Sequence, residues 1–165
     1  MLSVRVLTAQ DHFDEVGQVY AESWKASYKG ILPQHYLDKM THDRWDSTLR
    51  ANPDASLVLY LDDKLIGTTL TGFALTPDRA GYGEIIAIYL LPEYTGRGYG
   101  KPLMKAALAK LSGEGCSAVC LWALSQNTRA EKFYEHMGFS RTGKKLMELY
   151  GDEEFELTEF SIDLA

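Results

Sequence analysis

The stretch LLPEYTGRGYGKPLM, residues 90–104, constrains the chain more than any other. It joins an apolar run, EIIAIYLL from Glu84 to Leu91, to a helical face of Leu103, Met104, Ala107, Leu108 and Leu111. An almost continuous apolar run that ends at a proline, here Pro92, reads as a central strand covered on both faces, and the helical spacing beyond it reads as an amphipathic helix. Between them stand Gly96, Gly98 and Gly100. Glycines let the main chain approach a ligand closely, and a helix N-terminus adds unsatisfied N–H donors and the positive end of its dipole. Strand, glycine loop and helix in that order read either as a tight strand-to-helix turn or as a cradle for an anionic phosphate, to which Arg97 would add charge. The spelling excludes two nucleotide loops. A Walker A loop needs glycine where Thr95 stands and Ser or Thr where Pro102 stands, and a dinucleotide fingerprint begun at Gly98 needs glycine at Leu103.

Around this stretch the pattern predicts strands mixed with helices. VRVL at residues 4–7 alternates as a short strand, with Thr8 as N-cap of a helix whose stripe is Phe13, Val16, Tyr20 and Trp24. Pro33 opens a second short helix through Leu37 and Met40, and a third surrounds Trp45 and Leu49. SLVLYL at 56–61 and the run 64–75 flank Asp62-Asp63 as a hairpin. AVCLWAL, residues 118–124, is a second buried strand, and two terminal strands fall near 140–150 and 155–164. Asn127 caps a helix whose Ala130, Phe133, Tyr134 and Met137 share a face, with Gly138 at its C′ position. No repeat or linker divides the 165 residues, so one α/β domain over 1–165 is expected.

Charge and special residues narrow the function. A net charge of -6 without a Lys/Arg block argues against a nucleic-acid partner. The start lacks a basic segment followed by a long apolar run, and no run approaches the ~18 apolar residues of a membrane span, so a cytoplasmic protein without membrane attachment is expected. No metal is expected: Cys116 and Cys120 lack His or Asp partners at ligand spacing, and His12, His35, His42 and His136 are scattered. Both cysteines read as small buried side chains.

On these residues the chain resembles the GCN5-related N-acetyltransferase (GNAT) superfamily, from about Gly83 to Phe139, as a small bacterial-type member. In that family the loop reads Gln/Arg-x-x-Gly-x-Gly/Ala after an apolar-x-Pro step, here Leu90-Leu91-Pro92. Gly98 and Gly100 match the small positions, while Thr95 stands where Gln or Arg is usual. NTRAEKFYEHMGF, residues 127–139, is similar to the family's Asn-x-x-Ala-x-x-Phe-Tyr-x-x-x-Gly-Phe signature. The resemblance implies a mixed, mostly antiparallel sheet of six to seven strands flanked by helices, and acetyl-CoA as co-substrate. It implies cofactor contacts from Ile88, Tyr89 and Leu90 on the strand, from Thr95, Gly96, Arg97, Gly98, Tyr99, Gly100 and Lys101 in the loop, and from Asn127, Ala130, Phe133 and Tyr134 on the later helix. Taken alone, Asn127 reads as a helix cap and Tyr134 as a core aromatic.

The implied reaction is direct attack of a neutral amine on the thioester, without an acyl-enzyme. The resemblance points to the Leu90 N–H as donor to the carbonyl oxygen, to Glu84 as base acting through water, and to Tyr134 as acid for the leaving sulfur. Glu84 also reads as a solvated strand-end carboxylate. Cys120, in an apolar run without a neighbouring His, is expected to be inert. For the acceptor side, Trp24, Tyr28 and Tyr36 read either as pocket lining or as core, and Glu22, Asp38 and Asp152-Glu153-Glu154 suit a cationic amine such as a polyamine. A peptide or protein amino group and a non-catalytic acyl-CoA sensor are the competing readings. The assembly is expected to be a monomer or homodimer.

Overall fold

The computed structural model describes residues 1–164. In chain order the elements are β1 (Leu2–Val6), α1 (Phe13–Ser27), α2 (Gln34–Leu37), α3 (Asp46–Ala51), β2 (Ser56–Leu61), β3 (Lys64–Phe73), β4 (Tyr82–Leu90), α4 (Gly100–Gly113), β5 (Ala118–Leu124), α5 (Thr128–His136), β6 (Ser140–Tyr150) and β7 (Glu153–Asp163). The strands form one seven-stranded sheet in the order β1-β2-β3-β4-β5-β7-β6. Every neighbouring pair is antiparallel except β4 and β5, which are parallel and joined by the α4 crossover.

Helices cover the two faces unequally. On one face α4 seals a core of Ile85, Leu103, Met104, Leu111, Val119 and Leu121. On the other, α1 buries Phe13, Val16 and Tyr20 against Val58, Leu70 and Ala87. A third cluster, around Leu37, Leu124 and Leu157, carries an aromatic fringe of Trp24, Tyr28, Tyr36, Trp122 and Tyr150.

Several local expectations are corrected. Thr8 does not cap α1; its N–H donates to Asp11 Oδ2 at 2.7 Å in a preceding turn, and the helix begins at Phe13. A short polar residue satisfies a turn as readily as a helix end, and here the turn wins. The helix after Pro33 stops at Leu37, yet Met40 is still fully buried.

The strand β4 differs most from expectation. It is not covered on both faces throughout, since Ile86 is 54% exposed. Leu70 pairs with Ala87 but Thr71 pairs with Ile85, so Ile86 is an extra residue in β4. Such a bulge bends its strand and re-aims the side chains on either side of it. Accordingly Ile85 joins the α4 core, Ala87 and Tyr89 join the α1 core, and Ile88 and Leu90 return to the α4 side.

Close packing of α1 relies on Gly17, where a Cβ would lie 1.9 Å from the His42 carbonyl oxygen. Overpacking of this kind costs about 1–3 kcal/mol, so Gly17→Ala is expected to destabilise the protein by at least that amount in denaturant unfolding. Gly113→Ala, at a site with nothing within 4 Å of the added Cβ, is expected to leave the midpoint unchanged or raise it.

Candidate active site

The parallel pair at the middle of the sheet is very short. Only Tyr82, Gly83 and Glu84 of β4 pair with β5, opposite Ala118, Val119 and Cys120. Beyond Glu84 the two strands separate, each still held by its outer antiparallel neighbour. The alternation of the β3–β4 ladder then determines which backbone groups are free. The Leu91 N–H donates to the Ile66 carbonyl at 2.8 Å, and Leu90 faces Gly67 in the next register position. Hydrogen-bonded and non-bonded pairs alternate along an antiparallel ladder, so Ile88 and Leu90 direct their N–H and C=O groups away from β3, into the gap left by β5.

The gap opens into two joined clefts. One, of about 450 Å³, is walled by Ile88, Tyr89 and Leu90, by Thr95, Gly96, Gly98, Gly100 and Lys101 of the loop, and by Asn127, Ala130, Phe133 and Tyr134. Gly96 and Gly98 have φ of 74° and 87°, a left-handed backbone that side chains resist. At Gly100 the reason for a small residue is steric, because a Cβ would sit 3.2 Å from the Phe133 ring. The loop ends at the N-terminus of α4, so free N–H donors converge on it. An extended ligand carrying a diphosphate fits this cradle and the free edge of β4.

Helix α5 is tightly specified at both ends. Asn127 accepts a hydrogen bond from the Ala130 N–H at 3.3 Å. At the other end the Gly138 N–H donates to Glu135 and the Phe139 N–H to Tyr134, with Gly138 at φ 101°, a Schellman ending. Its accompanying apolar contact is the pairing of the Tyr134 and Phe139 rings, 6.2 Å between centroids. Tyr134 also packs 5.8 Å from Phe160, so its ring is held from two sides. Burial first, and the Tyr28 hydroxyl second, keep its phenol well above the ordinary value and therefore protonated.

The wall of the first cleft also takes in Ser23, Ala26 and Ser27 of α1. The second cleft, of about 480 Å³, shares Tyr28, Ile88, Tyr89, Asn127, Ala130 and Tyr134 with the first. Its wall includes Trp24, Tyr36, Trp122 and Tyr150, together with the carboxylates of Glu84 and Glu148, and it contains no Lys, Arg or His. Trp24 stands 5.0 Å from Tyr28 and 6.1 Å from Tyr150, ring centroid to centroid. Tyr150 donates to Glu148 Oε2 at 3.0 Å. Glu84 sits at the last paired position of β4, and burial, followed by the negative charge of Glu159, raises its pKa above the ordinary carboxylate range. Glu159 itself is buried, which favours protonation, but bonds from Arg79 Nε at 3.1 Å and Thr142 Oγ1 at 2.6 Å outweigh that and keep it ionised.

Comparison with known proteins agrees with this geometry. Residues 17–139 match the family model described as the acetyltransferase (GNAT) family. The chain belongs to the GNAT family. It is an acetyltransferase, and its donor is acetyl-CoA. It is 26% identical over 156 residues to an uncharacterized N-acetyltransferase, YuaI, of Bacillus subtilis, covering 92% of this chain and 87% of that one. A spermidine N(1)-acetyltransferase of Thermoplasma acidophilum is 28% identical over 142 residues, covering 84% of this chain and 88% of the relative. In fold, the chain is similar to the PaiA N-acetyltransferase of Thermoplasma acidophilum in complex with coenzyme A, with a TM-score of 0.73, 24% identity and 99% of each chain covered.

Within this GNAT fold the structure gathers most of the residues singled out from sequence. Tyr134 and Glu84 border one cleft, and Trp24, Tyr28 and Tyr36 line it while also packing in the aromatic cluster. Asn127 is both a helix cap and part of the cleft wall. Two loop residues are not brought into the wall of the donor cleft. Arg97 lies over the Tyr94 ring, 6.0 Å from its centroid, and Tyr99 stacks beside Tyr94 at the same separation. Thr95 is in the wall, but its hydroxyl donates back to the Pro92 carbonyl at 2.8 Å. The Cys120 thiol is pushed up to about 12, chiefly by burial and then by Glu84 and Glu159, which leaves it inert as a nucleophile. Glu148, Tyr150 and Arg129 line the clefts without having been singled out; β6 alternation alone does not say which side the sheet leaves open. Among the described residues, no group of three or more His, Cys, Asp or Glu is placed to hold a metal, and no helix is long and apolar enough to cross a membrane.

The raised pKa of Glu84 has a definite stability signature. A carboxyl that holds its proton more tightly when folded destabilises the native state once pH rises past its folded pKa. Glu84→Gln is therefore expected to raise the melting temperature at pH 7–8, with the gain fading as pH falls below the ordinary carboxylate range of ~4.3. Thermal scans across pH check this.

Proposed function

We propose that this acetyltransferase moves the acetyl group directly to a primary amine of a small polycationic molecule, of polyamine type, without an acyl-enzyme. The observation that carries the reading is the second cleft, whose wall combines aromatic rings with Glu84 and Glu148 and holds no cationic side chain. Aromatic faces and carboxylates favour ammonium groups, whereas a peptide acceptor with acidic flanks would meet like charge there. The 28% identity to a spermidine N(1)-acetyltransferase supports the same class.

The chemistry follows from the two walls. An alkyl ammonium has a pKa of ~10.4, so at pH 7 only about one molecule in 2,500 is the nucleophilic amine. Glu84, its pKa raised by burial and by the charge of Glu159, takes the surplus proton through water. The amine then attacks the thioester carbonyl, whose oxygen gains charge and is met by the free N–H of Leu90 in the gap between β4 and β5. Tyr134 donates a hydrogen bond to the departing sulfur. Because a buried phenol is a weaker acid than a thiol of pKa ~8.5, Tyr134 keeps its proton and stabilises the leaving thiolate through that hydrogen bond, while the proton lost by the attacking nitrogen as the amide forms passes through water to the thiolate.

The test mixes the protein with acetyl-CoA and a panel of polyamines, monoamines, aminoglycosides and peptides, and follows release of free thiol. The highest kcat/KM is expected with polyamines. Tyr134→Phe is expected to lower kcat about a hundredfold while leaving acetyl-CoA affinity intact. Glu148→Gln is expected to raise KM for polyamines more than for monoamines. Preference for peptides would overturn the acceptor class, and tight acetyl-CoA binding without turnover on any amine would favour a sensor.

A further inference from the structure

The diphosphate cradle has an unmet requirement. Its ligand is polyanionic, the chain carries a net charge of -6, and the position where GNAT relatives usually offer Gln or Arg holds Thr95. Thr95 has turned its hydroxyl to the Pro92 carbonyl, and Arg97 has laid its guanidinium over Tyr94. Neither loop side chain supplies a charged donor to the cleft. Lys101, on the first turn of α4, is in the wall and contributes a single point charge from that side.

Arg129 occupies the opposite lip. It is the second residue of α5, it lies in the wall of the donor cleft, and its Nη2 sits 3.2 Å from where a Cβ on Gly96 would be. Gly96 is kept glycine by its φ of 74°, and the guanidinium lies close above it. Among the described residues, Arg129 forms no ion pair, although Arg141 on the neighbouring strand is paired with both Glu131 and Glu135. An exposed guanidinium without an ion-pair partner, next to a glycine of the same cleft wall, is a fork of donors suited to two phosphate oxygens.

We propose that Arg129 closes the diphosphate cradle from the α5 side and does the work that the long side chain at the Thr95 position does elsewhere. The two helix N-termini, α4 behind the loop and α5 across it, then hold the diphosphate between them, with Lys101 and Arg129 as the charged contacts. The proposal rests on acetyl-CoA as donor and is independent of which amine accepts the acetyl group.

Calorimetric titration of CoA, and of dephospho-CoA, which keeps the diphosphate but lacks the 3′-phosphate, tests it. Arg129→Ala is expected to weaken both ligands by the same factor, about tenfold or more, as for loss of a charged hydrogen bond. In that background Thr95→Arg is expected to restore most of the affinity. Unchanged affinity in Arg129→Ala would overturn the proposal, and so would a loss confined to CoA, which would move Arg129 to the 3′-phosphate. Failure of the wild-type protein to bind CoA would instead overturn the donor assignment. Thermal unfolding of Arg129→Ala is expected to match wild type, because the side chain is exposed and unpaired.

Discussion

The rest of the molecule depends on three residue pairs. Tyr82, Gly83 and Glu84 bind β5, and then the two parallel strands part. Sheets rarely leave interior strands unpaired, because a buried N–H or C=O without a partner costs about 1–3 kcal/mol. Here the separation is enforced from outside. The strand β4 is zipped to β3 along its length and β5 to β7 along its own, and a bulge at Ile86 interrupts β4 just beyond its last pair with β5. Helix α5, secured by the Asn127 cap and the Schellman ending at Gly138, borders the opening with Asn127, Ala130 and Tyr134. The resulting gap is lined with backbone donors and acceptors that a ligand can satisfy.

Two clefts of different chemistry meet at this gap. One offers the glycine loop, the first residues of two helices, Lys101 and Arg129. The other offers aromatic faces with Glu84 and Glu148. An acidic chain holds a polyanion by concentrating its positive ends locally, and the proposed pairing of α4 and α5 at the loop would meet that need. The two clefts share a wall that includes Tyr28, Tyr89, Asn127 and Tyr134.

How much of this could be read from sequence depended on the range of the forces involved. Strands such as Ser56–Leu61 and Ala118–Leu124 and the capped helix after Asn127 were legible because short-range pattern and capping chemistry determine them. The glycine loop was legible because few arrangements need three alternating glycines between strand and helix. The exposure of Ile86 was not, since it arises from a bulge defined by pairing with β3. Nor were Arg129 and Glu148: each is an ordinary surface residue until the fold brings α5 over Gly96 and β6 beside the aromatic cluster. Arg97 looked like the loop's charge by proximity in sequence, and the contact with Tyr94 places it elsewhere.

The claim on which everything else stands is that the edge of β4 beyond Glu84 is open and is completed by the donor substrate. Residue-resolved amide hydrogen exchange tests it directly. The account predicts that the Ile88 and Leu90 amides exchange quickly in the free protein, while Tyr89 and Leu91, bonded to β3, exchange slowly, and that acetyl-CoA slows Ile88 and Leu90 selectively. Uniform protection along β4 in the free protein, or no change at Ile88 and Leu90 on saturation with acetyl-CoA, would contradict it.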